Sequence, residues 1–131
     1  MNMDKPPSLE GTITTVKGKG ATMTMHFISG AFHPGLNTTV RRGLEWFQKG
    51  LLPGDTLTLC VCPRRDDHTP IGEAKVAFVM AARIETIPNE LMAYEHEPSC
   101  RTKEGLLDAM RKVLGDVRPD EVVTVIGFER E

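Results

Sequence analysis

Short runs of alternating apolar and polar residues dominate this chain, and one stretch repeats at helical spacing. Thr22-Met23-Thr24-Met25-His26-Phe27 alternates strictly, the mark of a half-buried strand. Met23, Met25 and Phe27 are expected to face a core, with Thr24 and His26 on the other side. Thr56 to Cys62 alternates likewise, after the turn signal Leu51-Leu52-Pro53-Gly54-Asp55. Gly72 to Ile87 is a long β-rich run, long enough to bend around a barrel, and Val122 to Phe128 reads as a last strand. Thr12 to Val16 is a further short strand, and Arg64 to His68, bracketed by Pro63 and Pro70, a charged hairpin tip. Against these strands stands one helix, Glu104 to Leu114. Leu106, Leu107, Met110, Val113 and Leu114 form its apolar stripe, Thr102 its N-cap and Gly115 its stop. The whole stripe is expected in the core.

The run Asn37-Thr38-Thr39-Val40-Arg41-Arg42-Gly43 differs from the others. Period two puts Asn37, Thr39 and Arg41 on one face and Val40 on the opposite one. Hydroxyl, amide and guanidinium on one strand face suit an anion or a polarised carbonyl. Leu44 to Gln48 then makes a packed turn carrying Trp46, the only tryptophan.

Composition narrows the class. A chain of 131 residues, 40% hydrophobic and 26% charged, fits one ordinary domain with a modest core. Residues 1–10 read as a loose, Pro-rich tail and 11–131 as the single domain. No apolar run approaches the roughly 18 residues of a membrane helix, and the first residues carry no apolar signal core, so a cytoplasmic protein is expected. A net charge of −2 argues against dense coating of nucleic acid. The charge is uneven, however. Gly11 to Gly50 holds Lys17, Lys19, Arg41, Arg42 and Lys49 against Glu45, while Glu85 to Glu104 is acid-rich. A basic half facing an acidic loop defines a polar cleft; scattered, mutually balancing charges are the competing reading.

The three cysteines are expected to be reduced. Cys60 and Cys62 sit two apart in one strand and point in parallel, poor geometry for a disulfide. A metal reading would recruit them with His68 and either His96 or Cys100, but C-x-C lacks structural-zinc spacing. No cofactor and no obligatory metal are expected.

The Thr-Thr-Val-Arg strand, the Gly-Asp turn leading into a strand and the closing helix-loop-Val-Ile-Gly-Phe strand resemble the ASCH family of the PUA-like superfamily, from about Met23 to Phe128. The resemblance implies an α+β, mainly β fold, a closed or nearly closed barrel of five to six strands with flanking helices. It also implies RNA-related or nucleoside-related function. The family's acetylcytidine amidohydrolases use a lysine, a threonine three residues later and a distant glutamate. Matched to this chain, the threonine is Thr39, the glutamate Glu95 or Glu97, and the lysine position holds Leu36.

The expected function is therefore binding of RNA or a modified nucleoside in a cleft between the Asn37–Arg42 strand and the Glu95–Glu97 loop. Arg41, Arg42 and Lys19 would supply charge, Asn37 and Thr39 hydrogen bonds, and Trp46 or Tyr94 a stacking surface. Trp46 has core packing as its alternative role, Arg41 pairing with a cleft acid, and the acidic loop plain solvation. A second reading makes the protein an amidohydrolase of acylated cytidines, with Thr39 as nucleophile and a glutamate as proton carrier. Metal-independent RNA cleavage, using Glu97 or His96 as base, ranks third.

Overall fold

A computed structural model describes residues 22–28, 30–62 and 69–130. The Thr12–Val16 strand, Lys19 and the 64–68 hairpin tip lie outside the described residues.

Five strands, β1 (Thr22–Phe27), β2 (Gly35–Arg42), β3 (Thr56–Val61), β4 (Thr69–Arg83) and β5 (Val122–Arg130), form one mixed sheet in the order β1-β3-β4-β5-β2. β1 runs parallel to β3, and the remaining pairs are antiparallel. β5 lies inside the sheet between β4 and β2 and is buried on both faces, which explains why its sequence is almost continuously apolar rather than alternating.

One face gathers Met25, Phe27, Leu57, Leu59, Val76, Ile126 and Phe128 with Trp46 into a first core. The other gathers Val123 and Val125 with Ile84, Ile87, Met92, Leu106 and Met110 into a second. Helices α1 (Glu45–Gln48) and α2 (Asn89–Met92) are single turns, and α3 (Lys103–Leu114) is the long one. Its N-terminus is fixed as expected: the Thr102 hydroxyl accepts from the Gly105 amide at 3.1 Å. The chain leaves the helix through Gly115 at φ 87°, a left-handed conformation that favours glycine.

Two expectations need correcting. The sheet is not closed: β1 and β2 are its two ends, and among the described residues no backbone ladder joins them. Nor is the whole α3 stripe core. Leu106 and Met110 are buried, but Val113 and Leu114 are exposed, because they face the open cleft described below rather than a packed layer. Among the described residues no helix is long and apolar enough to cross a membrane.

Candidate functional site

The gap between the two end strands is a cleft of about 820 Å³. β1 contributes Phe27, β2 contributes Thr39 and Arg41, the loop before α3 contributes Glu95 and His96, and α3 contributes an apolar wall that includes Val113 and Leu114.

The loop is held there by backbone pairing. Thr38 N–H donates to the Tyr94 carbonyl at 2.8 Å, and His96 N–H donates to the Thr38 carbonyl at 3.1 Å. Residues 94–96 thus lie along β2 as a one-residue parallel bridge, Thr38 to Glu95, covering the exposed edge of that strand. Arg101 Nε donates to the Glu95 carbonyl at 2.9 Å and pins the loop from the other side. The Glu95 side chain is carried inward and buried. Its Oε1 lies 2.7 Å from His96 Nδ1. A carboxylate is an acceptor, so this contact places the Nδ1 proton on the imidazole and leaves Nε2 as the remaining ring nitrogen. The His96 ring stacks on Phe32 with centroids 5.0 Å apart and meets Phe27 edge-on at 5.0 Å.

Period two holds on β2. Thr39 and Arg41 share a face, and Arg41 Nε donates to the Thr39 hydroxyl at 3.3 Å. The guanidinium carbon lies 4.5 Å from the centre of the Phe27 ring, a cation–π arrangement. Burial lowers the Arg41 pKa to about 10, with the Glu95 carboxylate opposing that fall, so the group remains charged at neutral pH. Arg41 and Glu95 do not form an ion pair within 4.0 Å. Among the described residues the outer guanidinium nitrogens and Glu95 Oε2 have no hydrogen-bond partner. A donor fork and an acceptor therefore share one low-dielectric space without saturating each other.

Cys100, just ahead of α3, also lines the cleft. Burial pushes its thiol up to about 11; Glu95 adds to the rise, the Ser99 hydroxyl opposes it and Glu97 contributes least. A thiol held protonated in this way is a poor nucleophile.

Of the other residues expected in the site, Asn37 and Tyr94 lie outside the cleft lining, whereas Arg42, Glu97 and Trp46 line it but are engaged with the fold. Asn37 is fully buried and its amide closes the preceding loop, donating to the His33 carbonyl at 2.7 Å and the Gly35 carbonyl at 3.2 Å while accepting from His33 N–H at 3.2 Å. It does not line the cleft. Arg42 points away from Arg41, at the cleft rim, where it pairs with Glu121 and donates to the Asp116 carbonyl at 3.0 Å. Glu97 caps the turn that leads to α3, accepting from the Ser99 amide and hydroxyl. Tyr94 is exposed and lies outside the cleft lining, contributing its carbonyl to the β2 bridge. Trp46 is mostly core with one edge on the cleft, and Lys49 Nζ covers its ring at 4.3 Å. Leu36 sits opposite Glu129 in the β2–β5 ladder. No lysine among the described residues hydrogen-bonds Thr39; the cation that does is Arg41.

Phe27 and Cys100 enter the site without having been singled out for it, and His96, weighed only as a base for RNA cleavage, proves to be the partner of Glu95. For His96 the signal is its place in Glu95-His96-Glu97. For Phe27 there is none, since a strand aromatic on the apolar face reads only as core. No protein family, curated protein or solved structure matches the chain.

Proposed function

We propose that the cleft binds a single nucleobase, presented by a nucleoside or by an unpaired RNA nucleotide. The observation that carries this reading is the paired, unsaturated polarity of the cleft: Arg41 offers two outer donors beside the acceptor Glu95 Oε2. The edge of a pyrimidine or purine presents N–H and C=O groups side by side and answers both. Phe27, Trp46, Val113 and Leu114 supply apolar surface for the ring. A space of about 820 Å³ is the size of a small-molecule site, and a net charge of −2 does not suit a long polymer track. The finer PUA-like reading of the sheet and a place in the reducing cytoplasm belong to the same proposal; the latter fits three cysteines that form no disulfide.

Titration calorimetry with the four ribonucleosides and a short single-stranded RNA tests it. At least one should bind, and both Arg41→Ala and Glu95→Gln should weaken it about tenfold or more. No heat with any of them at millimolar concentration would sink the proposal.

A second reading, hydrolysis of an acylated cytidine, is favoured by one observation: Thr39, Glu95 and His96 line the same cleft. There the Glu95-oriented imidazole would take the proton from the attacking hydroxyl or water. Incubation with acetylcytidine followed by chromatography decides it, and an unchanged substrate would leave the binding module.

A further inference from the structure

A second constellation lies on the other face of the β1–β3 pair. Parallel register sets His26 of β1 beside Cys60 of β3. Aligned neighbours in a sheet present their side chains on the same face, and Cys62, two residues on, returns to that face. The Cys62 amide donates to the Phe27 carbonyl at 2.6 Å, holding it in line beyond the end of the strand. His26 Nδ1 is 3.2 Å from Cys62 Sγ, and the two sulfurs are 3.6 Å apart. All three donor atoms lie within 4.8 Å of one another.

We infer that His26, Cys60 and Cys62 bind a zinc(II) ion. The spacing of the donors is the argument. With Zn–S near 2.3 Å and Zn–N near 2.1 Å, the edges of a tetrahedron are about 3.8 Å between sulfurs and about 3.6 Å between sulfur and nitrogen. The observed 3.6 and 3.2 Å are within a few tenths of an ångström of those edges. A disulfide is not the better account, because adjacent same-face residues of a strand hold their sulfurs parallel. Two thiolates and one imidazole are a borderline-soft set that suits zinc, and three protein ligands leave a fourth position for water or a ligand. His26 is exposed and also lines the cleft, so an ion can reach the group from solvent past its imidazole. Binding releases the two thiol protons to solvent, so affinity falls as pH is lowered.

C-x-C on one strand looks uninformative in sequence because the third ligand comes from a different strand, 34 residues before Cys60 (60 minus 26). The candidates His96 and Cys100 do not join this group, and His68 lies outside the described residues.

The full chain, reduced and freed of metal, should be titrated with cobalt(II) as a spectroscopic stand-in for zinc. One equivalent should produce thiolate-to-cobalt charge-transfer absorption and tetrahedral ligand-field bands, and zinc(II) should displace both. Cys60→Ser and Cys62→Ser should each remove most of the charge-transfer intensity, and His26→Ala should weaken zinc binding by about 100-fold or more, beyond the effect of outer-shell changes. Cys100→Ser should keep the spectrum, and circular dichroism of each variant checks that it is folded. Absence of charge-transfer absorption in the folded wild type overturns the site. So does a spectrum that survives in folded Cys60→Ser/Cys62→Ser.

Discussion

The two halves of β2 both carry polar side chains toward the interior and put them to opposite use. In the first half, every side-chain group has a protein partner: Asn37 makes three hydrogen bonds to its own loop, and the Thr38 hydroxyl donates to the Leu91 carbonyl at 3.0 Å. In the second half, Thr39 and Arg41 bond to each other and leave the outer guanidinium nitrogens open toward the cleft. Buried polar groups are normally satisfied by the fold. A half-strand that satisfies itself is architecture, and one that stops short has capacity for a ligand.

The sharpest way to break this contrast is Asn37→Ala. It removes three bonds from a fully buried position and leaves His33 N–H and two carbonyls without that partner. Chemical denaturation should show a loss of about 2–3 kcal/mol. Nucleoside affinity of the remaining folded protein should stay close to wild type. A stable variant with lost affinity would move Asn37 into the site and erase the distinction.

Arg41→Ala tests the other half. Affinity should fall by about 1–3 kcal/mol, with a smaller change in stability, because removing a desolvated charge relieves a burial cost while Phe27 and Thr39 lose one contact each. Arg41→Lys should recover only part of the affinity, since an ammonium lacks the planar fork. If Arg41→Ala melts far below wild type and wild type binds nothing, the guanidinium is structural and the two halves of β2 are alike.

How much of this was legible in sequence follows from the kind of signal. The positions of β1, β3 and β5 and the α3 limits could be read because each depends on local alternation, an apolar run, a cap or a glycine; the run expected from Gly72 to Ile87 is instead β4 from Thr69 to Arg83, ended by a 3-10 turn at Ile84–Thr86. The shared face of Thr39 and Arg41 was legible for the same reason. Closure of the sheet was not, because it depends on whether β1 and β2 meet, and no local pattern encodes that. That Glu95 rather than Glu97 has its side chain buried was equally hidden: it follows from the bridge to Thr38, a contact between segments 57 residues apart (95 minus 38). Asn37 misled for a physical reason, since an asparagine that closes its own loop and one that faces a ligand share the same alternation.

Cys100 reports on the dielectric of the cleft. Its thiol is raised from 9.0 to about 11, chiefly by burial. Between those values the unfolded chain has released the proton and the folded chain still holds it, so this group makes stability fall as pH rises from about 9 to about 11. Cys100→Ala should flatten that part of the stability–pH curve relative to wild type. An unchanged slope would mean that the cleft around Glu95 is wetter than its burial implies, and would weaken the case for strong hydrogen bonding there.

Arg42→Ala should have the smallest effect, and its smallness is informative. Arg42 adjoins Arg41 in the chain and carries the same charge, but alternation turns it to the rim, where its side chain is 43% exposed and paired with Glu121. Exposed pairs contribute about 0–1 kcal/mol, and the bond to the Asp116 carbonyl adds a local tie to the loop after α3. Stability should therefore drop by less than about 1 kcal/mol, and by less still in high salt, where the pair is already screened. Nucleoside affinity should change no more than a rim charge allows, well under the loss in Arg41→Ala. Equal losses of affinity in the two variants would show that net positive charge, rather than a guanidinium open to the cleft, attracts the ligand. In that outcome affinity should also decline steeply with salt for the wild type, which a neutral nucleoside held by buried hydrogen bonds should not do.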